Sequence, residues 1–193
     1  MKTGHYNHEK NTTIKLILPL FAILGWDPLS KDMEFEFPVY RKKTKKISHD
    51  HVDIALYTNK SKKPRIIVEI KPIQKDLTRG TQLLRYLRNA KISHGIYTNG
   101  REIKLIGMPG VRHGFAPSVL FHLKNLDDFL EYKDVLWLLS KDSFKKGRLD
   151  KLVKFYHNGR EYPKWRRDYR KKYPDVSRDR LRLIYARMKI KEL

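Results

Sequence analysis

A chain of 193 residues is long enough for one domain with a buried core. Its 43 Lys and Arg outweigh 21 Asp and Glu, a net charge of +22 interleaved with eleven Tyr and eight Phe, and that balance points to a polyanion, nucleic acid above all. There is no cysteine, which excludes disulfides, thiolate zinc sites and cysteine nucleophiles.

Ile14, Ile17, Leu18, Phe21, Ala22 and Leu24 recur at helical spacing and predict a first helix over residues 11–24, with Asn11 or Thr12 as its cap and Gly25 as its stop. Glu9 sits at or just before that start, where a carboxylate suits the helix dipole. The apolar run 16–26 contains Pro19 and is too short to span a bilayer, and no signal-type cleavage site accompanies it; the expectation is a soluble, cytoplasmic protein with no membrane partner.

Residues 33–39 alternate as a strand with Glu34 and Glu36 facing water, and a basic hairpin follows, in which Lys42, Lys43, Lys45 and Lys46 are candidate phosphate contacts. The next two strands are anomalous. Val52, Ile54 and Leu56 alternate with Asp53, Ala55 and Tyr57, and Ile66, Val68 and Ile70 alternate with Ile67, Glu69 and Lys71. Charged side chains are almost never fully buried without a partner, so carboxylates inside such runs need a partner or a task. Glu69 and Lys71 share a face, roughly 6.6 Å apart along the strand. If the strands are neighbours, Asp53 and Glu69 can converge on one divalent cation with Lys71 beside it; a cross-strand ion pair is the plainer reading of the same residues. His49-Asp50-His51 makes a poor closed set of transition-metal ligands.

A second helix starting at Asp76 or Thr78 has Leu83, Leu87 and Ala90 as its core face, with Gln82 and Tyr86 one turn apart. Strands at 95–98 and 102–106 form a hairpin around Asn99-Gly100. An edge strand at 119–123 and helical segments over 126–139 come next, with Phe129, Leu130, Leu136 and Leu139 as core contacts and Trp137 read as packing. Residues 141–193 carry 19 Lys and Arg against 7 Asp and Glu, a net +12. They predict helices at 162–173, with Trp165 and Tyr169 on one side, and at 178–191, with Leu181, Ile184, Tyr185 and Met188 inward and Ser177 in the cap position. Two helices joined in this way form either a helix-turn-helix reader, with Arg178, Arg182 and Lys189 exposed for bases, or a basic helical brace. Arg166 and Arg167 in the first of them, and Arg85 in the central helix, extend the set of candidate DNA contacts.

The element order, the spacing from Asp53 to Glu69-Ile70-Lys71 and the run Gln82-Leu83-Leu84-Arg85-Tyr86 together resemble the PD-(D/E)XK nuclease superfamily, and within it the N-terminal nuclease domain of type I restriction enzyme R subunits and their stand-alone relatives. Glu9-Lys10-Asn11-Thr12 and Leu24-Gly25-Trp26-Asp27 are similar to that family's first helix, and Tyr97-Thr98-Asn99-Gly100-Arg101-Glu102 to its hairpin. Val52 stands where the superfamily name has proline. The resemblance implies that Asp53 and Glu69 are metal ligands, Lys71 the catalytic lysine, Glu9 a further carboxylate, and Gln82 and Tyr86 a motif near the scissile phosphate. It also implies products with 5′-phosphate and 3′-hydroxyl ends. No helicase or phosphate-loop pattern follows, so the expected protein is a free-standing nuclease or one part of an assembly.

The expected fold is α/β: a restriction-endonuclease-like core over 1–140 (helix, three strands, helix, two strands; a mixed sheet flanked by helices) and a basic helical tail over 141–193. The expected function is Mg²⁺-dependent hydrolysis of DNA, with Mn²⁺ as a substitute and the metal on Asp53, Glu69 and the Ile70 carbonyl. A structure-specific resolvase acting as a homodimer, and a DNA-binding protein without activity, remain the alternatives.

Overall fold

The computed structural model describes residues 8–43, 46–58, 63–77, 80–108, 117–157 and 161–193, without the side chains at 8 and 41–49. Six strands lie in chain order in one mixed sheet: β1 (Met33–Lys43), β2 (Lys46–Leu56), β3 (Ile66–Ile70), β4 (His94–Thr98), β5 (Ile103–Gly107) and β6 (Ser118–Leu123). Only β3 and β4 run parallel. A parallel pair needs a crossover connection, and here α3 (Thr81–Ala90) supplies it. The order expected from the sequence is the order observed, edge strand included.

All five residues of β3 are buried, because the sheet is covered on both faces at its centre. On one face Ile54, Leu56, Ile66, Val68, Ile70 and Ile96 pack with Ile17, Phe21 and Trp26 and with residues of the C-terminal helices. On the other, Ala55, Ile67 and Ile106 pack with Leu83, Tyr86 and Leu87 of α3. Gly95 on β4 permits this close approach, since a Cβ there would lie 2.9 Å from a Leu87 methyl and 3.0 Å from one of Leu83. Period-two strands and a helical stripe thus account for both layers.

The first helical region departs from its expected phase. It comprises α1 (His8–Thr12), a π-helical turn (Thr13–Ile17) and α2 (Leu18–Ile23). The helix is already running at His8, so Asn11 and Thr12 lie within it rather than capping it. The wide turn, in which the Leu18 N–H donates to the Thr13 carbonyl, sits immediately before Pro19, which has no N–H and crowds the carbonyl four residues back. It rotates the apolar face: Ile17, Phe21 and Leu24 are buried, whereas Ile14 and Ala22, expected inward, are exposed. The second helix likewise starts later than expected, at Thr81 after Gly80 with φ +61°; Thr78 lies outside the described residues.

After β6 the chain is helical: α4 (Leu126–Glu131), α5 (Lys133–Leu136), a 3₁₀ turn (Trp137–Leu139), α6 (Lys141–Lys145), α7 (Arg148–His157), α8 (Glu161–Lys172) and α9 (Arg178–Ile190). Ser177 caps α9, its side chain accepting from the Arg180 N–H at 3.2 Å. Leu183, Tyr185 and Ala186 of α9 enter the same cluster as Ile96, Leu105 and Phe121 of the sheet. Leu130 and Met188, expected inward, are exposed, and Trp137 is half exposed. The amphipathic stripe of α9 is carried by Leu181, Leu183, Tyr185 and Ala186 instead, because the helix is sandwiched between β6 and neighbouring helices rather than laid on one flat surface. Among the described residues no helix is long and apolar enough to cross a membrane.

Candidate active site

The ladder Leu56–Ile66, Ala55–Ile67 and Ile54–Val68, continued by one pair, sets Asp53 opposite Glu69. Two carboxylates from adjacent strands therefore share the face that α3 covers. On the other side of β2 the pairing with β1 passes from Phe35–Ile54 to Phe37–Val52, and Glu36 between them takes φ +52°. Non-glycine residues rarely hold that conformation, and a cleft lies there beside Asp53. Its volume is about 300 Å³, and Glu9, Thr13, Phe35, Glu36 and Asp53 line it.

Glu69 is 2 % exposed. Its Oε1 accepts from Lys71 Nζ at 2.5 Å, while its Oε2 is buried without a hydrogen-bond partner. Asp53 Oδ2 accepts from the Ile70 N–H at 2.5 Å. The Lys71 ammonium also reaches Gln82 Oε1 at 3.5 Å, and Gln82 Nε2 donates to Tyr86 Oη at 2.7 Å. Gln82 and Tyr86 are one turn apart on α3, so the helix presents both to β3 together. Arg85 lies over the Tyr86 ring, 5.3 Å from its centroid, and pairs with Asp50 at 3.1 Å.

Burial raises both carboxyl groups, Asp53 to about 6 and Glu69 to about 7. For Asp53 the Ile70 N–H works against burial and the Glu9 charge works with it. For Glu69 the Lys71 hydrogen bond opposes burial, and the Asp53 charge adds to it. Burial alone would lower Lys71, but the contact with Glu69 outweighs it and leaves the lysine above its ordinary value, so it stays a cation.

The structure brings Asp53, Glu69, Ile70, Lys71, Gln82 and Tyr86 together, with Arg85 alongside. Glu9 stands across the cleft: among the described residues no three carboxylate, imidazole or thiolate groups converge closely enough to hold a metal. The donors fit a hard divalent cation nonetheless, as a buried carboxylate with an oxygen left unbonded and a half-buried one, beside a backbone carbonyl, are the oxygen set such ions take. Two residues have supporting roles that the sequence reading did not assign to them. Asn99, fully buried, accepts from the N–H groups of Arg101 and Glu102 and donates to the Lys75 carbonyl, which anchors the segment leaving Lys71. Asp50 holds Arg85; its signal was a second carboxylate in the same strand run.

The candidate DNA contacts separate into three groups. Lys42, Lys43, Lys45 and Lys46 lie outside the described side chains. Arg167 and Arg178 are exposed, and Arg166 is half-buried, 5.9 Å from the Tyr162 ring centroid. Arg182 and Lys189 turn inward, contrary to expectation. The Arg182 side chain pairs with Asp179 at 3.5 Å, and Lys189, 7 % exposed, is held by Glu161 and by Glu192 at 2.8 Å against the Phe155 ring. An α9 buried along this side does not offer these residues to a DNA groove.

Residues 22–117 match the family model described as type I restriction enzyme R protein N terminus (HSDR_N). Among solved structures, an HsdR subunit fragment of a type I restriction enzyme from Vibrio vulnificus is similar, at 19% identity and a TM-score of 0.43, over 64% of this chain and 24% of that one. The chain thus spans about a quarter of that chain's length. A comparison with curated proteins gave no match. Residues 22–117, which hold Asp53, Glu69, Lys71, Gln82 and Tyr86, are therefore similar to the N-terminal region of type I restriction enzyme R proteins.

Proposed function

We propose that the chain is a metal-dependent deoxyribonuclease that hydrolyses phosphodiester bonds at the Asp53–Glu69–Lys71 site, acting as an endonuclease of the PD-(D/E)XK kind. The observation that carries this reading is Lys71: a charged lysine fixed between Glu69 and Gln82, next to a buried carboxylate oxygen with no protein partner. Buried carboxylate oxygens are seldom left without a partner, and a bound cation would satisfy this one. Asp53, Glu69 and the Ile70 carbonyl would hold Mg²⁺ or Mn²⁺, which supplies polarisation of a phosphate oxygen and a more acidic water.

The protein's own groups do the positioning. Lys71, kept protonated by Glu69, donates a hydrogen bond to the attacking water or to a non-bridging phosphate oxygen, and so orients attack in line with the leaving oxygen. Gln82 limits where the ammonium can point, and Tyr86 fixes Gln82. Arg85 adds positive charge at the edge, where the polyanion enters. Lys71→Met keeps the stem and removes the charge, so it should lower the cleavage rate by at least about a hundredfold while DNA binding changes little. Cleavage of plasmid DNA under single-turnover conditions measures this, and an unchanged rate would remove Lys71 from the mechanism.

A further inference from the structure

The aromatic side chains of α8 and of Tyr173, which follows it directly, form a continuous ladder that begins in the core and ends in solvent. Tyr162 is buried between Tyr156 and Tyr185, with centroids 4.7 and 4.8 Å away. Trp165 stacks on Tyr162 at 6.2 Å and an interplanar angle of 20° and also leans on Tyr185. Tyr169 follows at 5.1 Å from Trp165, and Tyr173 at 4.8 Å from Tyr169. Tyr162 and Trp165 have packing partners that explain them. Tyr169 is half-buried and Tyr173 is 52 % exposed, and beyond Trp165 the ladder rests on itself. An aromatic row of this kind, continued into water with a spacing of one helical turn, is not what core packing requires.

Six Lys and Arg stand among the twelve residues of α8, against two acidic ones. Arg167, Arg170, Lys171 and Lys172 are exposed beside the outer rings. A protein partner covering these rings would have to strip water from that many cations, whereas a polyanion would neutralise them. Bases within a duplex are already stacked on each other, and those of a single strand are not. We infer that the outer half of α8 is a binding platform for single-stranded DNA, on which bases stack against Tyr169 and Tyr173 while phosphates meet the flanking arginines and lysines. The choice of DNA rests on the reading of the chain as a deoxyribonuclease; the stacking surface does not. For that nuclease the platform would hold an unpaired strand at a fixed distance from the site.

The test is fluorescence anisotropy with a labelled oligothymidylate, the full chain and EDTA, so that no cleavage intervenes. The expected results are tighter binding of the oligothymidylate than of a duplex of equal length, and a loss of about tenfold for each ring removed in Tyr169→Ala and Tyr173→Ala. Phenylalanine at both positions should restore binding, because the ring and not the hydroxyl carries the contact. Because binding is read in EDTA, its outcome does not depend on cleavage, which separates this proposal from the fate of the cleavage reading. If the double alanine variant loses its folded circular-dichroism spectrum, Tyr173→Ala alone decides, since that ring is on the surface. Parental affinity in Tyr173→Ala, an equal loss on duplex and single strand, or tighter binding of oligouridylate than of oligothymidylate would overturn the proposal.

Discussion

The residues that make the site stand out because they violate strand composition. Asp53 and Glu69 interrupt β-branched runs, and the structure buries Glu69 almost completely while giving only one of its oxygens a partner. That arrangement should be visible in stability without metal. Glu69 rises from an ordinary value of 4.5 to about 7, so between those values the folded state binds more protons than the unfolded one. Stability from this group is therefore present at low pH and lost as pH climbs through the window, by a few kcal/mol at most, since each tenfold difference in proton affinity is worth roughly 1.4 kcal/mol. His94 has the opposite sign: burial lowers it from 6.5 to about 4, and its contribution is lost as pH falls. Comparing the parent with Glu69→Gln in EDTA cancels His94. The variant should become the more stable of the two by a margin that grows from about pH 4.5 to 7, read by urea denaturation; a margin that shrinks over that range would contradict the burial described. Lys189 shows where residue-level reading failed. In a chain with 43 Lys and Arg, this inward-turning lysine sits in the same kind of basic local sequence as its exposed neighbours; Glu192 is three residues on, but Glu161 is brought to it only by packing.

At the scale of elements, strand order and the helix between β3 and β4 were legible because period-two and helical patterns differ strongly there. The phase of the first helix was not, since the π-helical turn before Pro19 shifts the buried face without altering composition. The late start of α3 follows from Gly80, whose positive φ lets the chain turn under the helix. α3 can deliver Gln82 to Lys71 only because β4 has a glycine beneath it. Gly95→Ala should push Leu83 and Leu87 outward, cost about 1–3 kcal/mol of stability, and slow cleavage more than it weakens DNA binding. Thermal denaturation and single-turnover rates on the same samples check this, and a variant as active and as stable as the parent would show that the helix has room to spare.

For the molecule as a whole, the basic tail is also the second half of the core. Charge alone separates residues 141–193 from the rest, but Leu183, Tyr185 and Ala186 pack with Ile96, Leu105 and Phe121, and Arg180 pairs with Glu131 at 2.6 Å. The sequence shows the stripe on α9 and cannot show that β6 lies under it. A chain ending at residue 140 would expose that face of the sheet, so it should lack a cooperative urea transition and bind a hydrophobic dye; a sharp transition would mean that the nuclease-like region folds alone. The proposed cleavage depends most on the two carboxylates acting together on DNA, and the most direct measurement follows plasmid cleavage and DNA binding in parallel for the parent and Glu69→Gln, with Mg²⁺ and with EDTA. The predicted result is cleavage by the parent in Mg²⁺ alone, and binding without cleavage by Glu69→Gln in either buffer, whereas cleavage by Glu69→Gln at the parental rate, or by the parent in EDTA, would contradict it.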